Sequence, residues 1–400
     1  MLRNLEEKLS KNMAVAKRSA IREILKLTQK PEIISFAGGL PAEASFPVED
    51  IKECINEVFE ESATKALQYG TTEGYNPLRE EIVKHYKKQG IDICIDNIMI
   101  TTASQQGLDL SAKIFLNPGD NVVCGLPSYL GGLSAFKSYG AEMVGIKFDG
   151  NGMNIEILTK KLEELNAINK LPKFIYVIPD FQNPAGITYP ESRRQEILNL
   201  AEKYDLLILE DSPYRELRFD GKEQKMIYDL DKSKSRVIVL GTFSKILAPA
   251  LRMGWVIAHE SIIDKYVVAK QATDLCTPAL LQMAVAKYMQ KGYMQKNLAN
   301  TINLYKEKRD LMLNCLKKYM PKYVSWTQPE GGLFLFVYLP EEMDSEKLLH
   351  TAIANNVAFV TGQPFHCDDS GTNTMRLNFS FPTNEEIDLG IKRLANAISM

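Results

Sequence analysis

Between Asn97 and Ala258 the chain alternates short apolar runs with amphipathic stretches, and this rhythm narrows the fold more than any other feature. The runs are Ile98 to Thr101, Val122 to Cys124, Met143 to Ile146, Phe174 to Ile178, Leu206 to Leu209 and Val237 to Leu240. Runs of this length, apolar at nearly every position, suit strands buried on both faces. Helical segments between them are the crossovers that a parallel sheet requires. The expected class is α/β, with three αβα layers around a mostly parallel sheet. From about Tyr288 the rhythm changes to a long charged helix around Asn300 to Tyr319, then strand-like Gly332 to Tyr338 and Met375 to Phe379. That change predicts a second, smaller α+β domain.

The chain start adds a third piece. Ile21, Ile24, Leu25 and Leu27 fall at helical spacing between Ala20 and Lys30. Pro31 stops that helix before an extended Ile33 to Phe36 and a Gly38-Gly39 turn. The division expected is 1–45 for this helix and loop, lying with the small domain and across the active-site mouth; 46–287 for the large domain; and 288–400 for the small one.

Composition removes several classes of function. Lys plus Arg number 48 against 50 for Asp plus Glu, a net charge of -2, so no broad basic surface exists for nucleic acid. Cys54, Cys94, Cys124, Cys276, Cys315 and Cys367 lack any C-x-x-C spacing, and His85, His259, His350 and His366 fall in no metal-ligand pattern. No metal is expected, and scattered thiols suit a reducing cytoplasm. No long apolar run appears, and charged residues fill the first twenty positions, so neither a secretory signal nor a membrane span is expected.

Chemistry concentrates from Val237 to Trp255, where an apolar strand runs into Gly241-Thr242-Phe243-Ser244-Lys245 and then Ala248-Pro249-Ala250-Leu251-Arg252-Met253-Gly254. A lysine directly after a strand end can reach the crevice outside the sheet's carboxyl edge, where ligands of open α/β sheets bind. Thr242, Ser244 and Arg252 add the hydroxyls and positive charge that a phosphate dianion requires. The Walker spacing is absent, since Lys245 follows Ser244 instead of preceding it. Taken singly, Lys245 also reads as a solvated surface lysine, and Arg252 as the partner of a nearby carboxylate.

This segment resembles the cofactor-lysine motif of fold-type I, class I/II aminotransferases. Arg252 lies seven residues after Lys245, a spacing that resembles the branch holding 2-aminoadipate, kynurenine and some aromatic-amino-acid aminotransferases. The likeness runs from about Ala20 to the C-terminus and rests on several separated motifs. It implies a seven-stranded, mostly parallel sheet, a homodimer with shared active sites, and pyridoxal 5'-phosphate held by Lys245 as a Schiff base. An amino acid and a 2-oxo acid, with 2-oxoglutarate as the expected acceptor, would then react in ping-pong fashion.

The resemblance also assigns roles. Pro179-Asp180-Phe181-Gln182-Asn183-Pro184-Ala185-Gly186 resembles the family's Asn-Pro-Thr-Gly turn and places Asn183 beside the cofactor's phenolic oxygen, although such residues also make ordinary turns. Glu210-Asp211-Ser212-Pro213-Tyr214 follows a strand. Asp211 would pair with the protonated pyridine nitrogen and Tyr214 with the phenolic oxygen. Read alone, Asp211 is equally a helix cap, Tyr214 a core aromatic, and Glu210 the alternative carboxylate. Ser104 and Gln105 open a helix whose free N–H groups can take phosphate, or simply cap it. Tyr129 is the expected ring stacked on the pyridine, with a core tyrosine as its other reading. Tyr69 matches the loop that a neighbouring subunit lends to the phosphate, and is otherwise a surface aromatic.

Arg376 interrupts the apolar strand Met375 to Phe379, where a half-buried guanidinium needs an anionic partner. The resemblance makes it the clamp for the substrate α-carboxylate, with the Gly39 backbone and Asn183 beside it; a structural salt bridge is the competing reading. Arg22 on the N-terminal helix faces either a distal substrate carboxylate or solvent. A lyase or decarboxylase built on the same cofactor is an open alternative, because fold alone does not choose the bond broken. Transcription regulators with an aminotransferase-like domain carry a DNA-binding module before it, and the roughly twenty residues ahead of the matched region are too few for one.

Overall fold

The computed structural model describes residues 6–15, 30 and 32–400. The expected helix from Ala20 to Lys30, and Arg22 with it, lie outside them. Strand β1 (Ile34–Ser35) precedes the main sheet, which comprises β2 (Ile98–Thr101), β3 (Asn121–Leu126), β4 (Glu142–Asp149), β5 (Gly152–Met153), β6 (Phe174–Val177), β7 (Leu207–Asp211), β8 (Val237–Thr242) and β9 (Gly254–Ile257). The order across it is β2-β9-β8-β7-β6-β3-β4-β5. From β8 to β4 every pairing is parallel, and β9 and the two-residue β5 run antiparallel to their neighbours. Every residue of β2, β3, β6, β8 and β9 is buried, because helices cover both faces. The sheet thus has eight strands where seven were expected, the extra one being β5, which hairpins off β4.

The remaining strands are β10 (Ser325–Trp326), β11 (Phe334–Tyr338), β12 (Val357–Ala358), β13 (Val360–Thr361) and β14 (Thr374–Asn378). They form an antiparallel sheet ordered β10-β11-β14-β13, while β12 pairs in parallel with β1. The charged helix is longer than its sequence pattern indicated, spanning Tyr293–Tyr319, and it packs against the C-terminal helix Asn384–Ile398. Thr383 and Glu386 cap that last helix reciprocally, which satisfies two of its free N–H groups. No helix among the described residues is long and apolar enough to cross a membrane.

Parallel strands deliver their C-terminal ends to one edge, and that edge places the chemistry. Asp211 is the last residue of β7 and Thr242 the last of β8. The helix Ala103–Phe115 begins two residues after β2 ends, at an Ala103 held in the left-handed region (φ 59°). Its backbone lies so close to β9 that a Cβ on Gly254 would fall 2.8 Å from the Ala103 carbonyl carbon and 2.5 Å from Gly241 O. Only glycine permits that approach.

Candidate active site

One cleft at this edge is lined by Ser104, Gln105, Tyr129, Asp211, Tyr214, Thr242, Ser244, Lys245 and Arg252. Residues from four separate stretches of sequence therefore meet. Among the described residues no side chain caps the helix Ala103–Phe115, which leaves its first N–H groups without a partner of that kind at the helix end that lines the cleft. Across from them the Ser244 N–H donates to Thr242 Oγ1 at 3.1 Å, and the two hydroxyls lie 2.9 Å apart. Arg252, another left-handed residue (φ 49°), donates to Pro249 O at 3.1 Å. No ion pair among the described residues includes it, so the carboxylate partner that its sequence alone allowed is not found.

Lys245 is not the solvated lysine that it is when read in isolation. It is half-buried, and its Nζ donates to Gly39 O at 2.8 Å. Burial first, then repulsion from Arg376 and Arg252, brings its pKa down to about 8.

Asp211 is 1% exposed. One oxygen, Oδ2, accepts from the Tyr176 hydroxyl at 2.9 Å, whereas Oδ1 is buried with no hydrogen-bond partner among the described residues. Burial, against the pull of Tyr176, raises the carboxyl pKa to about 7. An orphaned buried carboxylate oxygen is costly unless something cationic or protonated meets it. Glu210, the alternative carboxylate, points to the other face of the strand and accepts the backbone N–H groups of Ile227 and Tyr228 at 3.1 and 2.9 Å. It caps a short helix and does not line the cleft.

A hydrogen-bond chain crosses from the main sheet to the second one. Arg376 NH1 donates to Asn183 Oδ1 at 2.9 Å, and Asn183 Nδ2 donates to the Tyr214 hydroxyl at 3.2 Å. Because arginine only donates, this chain fixes which end of the Asn183 amide faces which neighbour. Tyr214 is left with a proton to give, since burial holds its pKa well above the ordinary value.

Arg376 is fully rather than half buried, at 1% exposure. Its guanidinium lies between the rings of Phe334, 4.2 Å away, and Phe365, 5.1 Å away, with NH2 donating to Ala37 O at 2.8 Å and Nε unpartnered. No described carboxylate pairs with it, so the structural salt bridge is ruled out among the described residues. Burial brings its pKa down to about 10.

The Asn183 loop is itself anchored. Asp180 is buried against Arg194 at 2.7 Å, with Arg215 and Arg218 each at 3.6 Å. Burial pushes its carboxyl up, yet the three arginines hold it below the ordinary value. Gln182 braces the same loop, donating to Pro127 O and accepting from the Ala185 N–H. Tyr129 is half-buried, its hydroxyl 3.3 Å from Gln105 Oε1. Tyr69 is not brought to the cleft of its own chain and is 79% exposed.

The geometry fits pyridoxal phosphate: a buried amine of lowered pKa, an orphaned carboxylate oxygen for a ring nitrogen, and hydroxyls, a guanidinium and a helix start for a phosphate. Fold and site together define a pyridoxal-phosphate-dependent transferase of fold-type I. More narrowly, the chain belongs to the family described as aminotransferase class I and II, whose profile matches residues 31–394. It is 47% identical to aromatic-amino-acid aminotransferase 1 of Thermococcus litoralis, over 98% of this chain and 94% of that one. It is 39% identical to the 2-aminoadipate transaminase of Thermus thermophilus, over 95% and 94%. Among solved structures, a Pyrococcus horikoshii kynurenine aminotransferase in complex with PMP superposes with a TM-score of 0.96 at 47% identity, over 99% of this chain and 98% of the other. The protein is a pyridoxal-phosphate-dependent transaminase.

Proposed function

We propose that this transaminase takes the amino group of 2-aminoadipate, glutamate or an aromatic L-amino acid and passes it to 2-oxoglutarate in a ping-pong cycle. The observation that carries the reading is Arg376, a buried guanidinium with no carboxylate partner among the described residues, close enough to Lys245 to help depress its pKa. A substrate α-carboxylate beside the lysine is the anion such a group lacks. Asn183 and the Gly39 backbone complete that subsite, and Arg22 is proposed for a distal carboxylate.

When bound, pyridoxal phosphate supplies the electron sink for charge developing at the substrate α-carbon. Lys245 would anchor it and, as a free amine, would move the α-proton; with a pKa of about 8 an appreciable fraction of that amine is neutral near physiological pH. Asp211 Oδ1 would hold a proton on the ring nitrogen. Tyr214 and Asn183 would donate to the phenolic oxygen, Tyr129 would cover the ring face, and Ser104, Gln105, Thr242, Ser244 and Arg252 would receive the phosphate. Tyr69, exposed in its own chain beside the exposed Leu67, is proposed to serve the phosphate of a second copy, which makes the enzyme a homodimer. Residues 46–287 would hold the cofactor, 288–400 would carry Arg376, and 1–45 would close the mouth. The scattered free cysteines accord with a cytoplasmic setting.

The test is an absorbance spectrum of the purified protein with Lys245→Ala alongside. A visible band that glutamate bleaches and 2-oxoglutarate restores, absent from the variant, is the expected result. Ammonia release from the donor without any acceptor would replace transamination with elimination.

A further inference from the structure

Tyr176 lies one strand away from Asp211, in β6, where it pairs with Leu209 of β7. It is 1% exposed, and its ring stands edge-on to Phe136, with centroids 5.2 Å apart. The helix Leu130–Ser138 leaves room for it only through a glycine, since a Cβ on Gly132 would fall 2.9 Å from the Tyr176 ring edge and hydroxyl. The ring is therefore held from two sides. Burial and the neighbouring Asp211 keep the hydroxyl protonated, so it is the donor in the 2.9 Å bond to Asp211 Oδ2.

We propose that Tyr176 is a positioning residue for the cofactor's ring nitrogen: by engaging Oδ2 it fixes the Asp211 carboxylate plane and leaves Oδ1 as the only oxygen free to meet the nitrogen. The inference rests on the proposed role of Asp211. A carboxylate turns readily about its Cβ–Cγ bond, and in a buried site the neutral, protonated form is favoured. A fixed donor on the second oxygen opposes both tendencies. It stops the rotation, and it favours the anion that the ring nitrogen needs in order to stay protonated. Without the hydroxyl, Asp211 would gain a proton more easily and lose its orientation, while the phosphate cup, Lys245 and Arg376 would be untouched.

Tyr176→Phe removes one oxygen and keeps the ring packing. Apoenzyme of the wild type and the variant is titrated with pyridoxal phosphate and with its 1-deaza analogue, in which C–H replaces the ring nitrogen, following protein fluorescence. Wild type should prefer pyridoxal phosphate. The variant should bind pyridoxal phosphate roughly tenfold more weakly, the scale of a hydrogen bond to a charged group, and the analogue with unchanged affinity. Ring-labelled cofactor should show a nitrogen-15 shift moved toward the unprotonated form in the loaded variant. Gly132→Ala, which displaces the ring without altering either partner, should give the same selective loss. Equal weakening of both ligands, or none, with an unmoved nitrogen shift, would reduce Tyr176 to packing and overturn the inference. A wild type that does not distinguish the two ligands would instead overturn the Asp211 assignment beneath it.

Discussion

Replacing Arg376 with lysine keeps the charge and removes the fork. Arginine presents five N–H donors, of which Arg376 spends two, one on Asn183 Oδ1 and one on Ala37 O; Nε is among those left unpartnered. Two parallel bonds to a carboxylate are therefore available without breaking either existing one. Lysine has three donors and, with the same two acceptors to satisfy, offers the substrate one. The loss is one charge-assisted bond, about 1.5–3 kcal/mol, or roughly a 10- to 150-fold drop in kcat/KM. The assay is the stopped-flow bleaching of the cofactor band by an L-amino acid and by the primary amine that lacks only its α-carboxylate. Arg376→Lys should lower kcat/KM for the amino acid by that factor and leave the amine within a few-fold, so the preference between them shrinks. Equal losses for both, or an unchanged preference, would refute a carboxylate contact.

Three further outcomes follow from the same geometry. Lys245 has a folded pKa lowered to about 8, so between there and an unfolded value near 10.4 the unfolded chain binds more protons and stability rises with pH. Apo wild type should accordingly melt below Lys245→Met at neutral pH, with the gap narrowing across that window; a constant gap in a pH series of melting curves contradicts a buried ammonium. Asp180→Asn leaves Arg194, Arg215 and Arg218 facing one another and should cost about 3–5 kcal/mol in urea unfolding, and a loss under about 1 kcal/mol would show that the cluster is well solvated. Mixing a Tyr69→Ala chain with a Lys245→Ala chain should restore activity that neither parent has in full, because one site of each mixed dimer is then intact; no recovery on subunit exchange would place Tyr69 outside the neighbouring site.

Strands β2, β3, β6, β7 and β8 were legible because each is a nearly solid apolar run, buried at almost every position. What escaped was short or local. Gly152–Met153 is too brief to show any period, and Gly254–Ile257 sits directly behind the lysine motif with only the three-residue 3-10 helix Pro249–Leu251 between them. Arg376 stood out because burying a guanidinium uncompensated is expensive, Lys245 because it directly follows a strand end, and Asn183 through the likeness of its turn to the family's. Choosing between Glu210 and Asp211 was harder, since neighbouring positions on a strand face opposite sides and only the register tells which side holds the crevice. Tyr176 gave no signal at all. A tyrosine inside Phe174-Ile175-Tyr176-Val177 looks like core, and its hydroxyl acquires meaning only from a carboxylate 35 residues further along. Phe334 and Phe365 are likewise ordinary core residues until Arg376 is seen between them.

The loop at Ala37 to Gly39 is moored by two cations that come from different sheets, Lys245 through the Gly39 carbonyl and Arg376 through that of Ala37. On the roles proposed here, both cations have other engagements during turnover. Loading the lysine with its cofactor would take away the first mooring, whereas the second would hold, because the guanidinium keeps donors to spare for an arriving carboxylate. The loop would thus lose one of its two ties when cofactor is loaded and keep the other when substrate binds, so its backbone amides would serve as a gauge of cofactor loading.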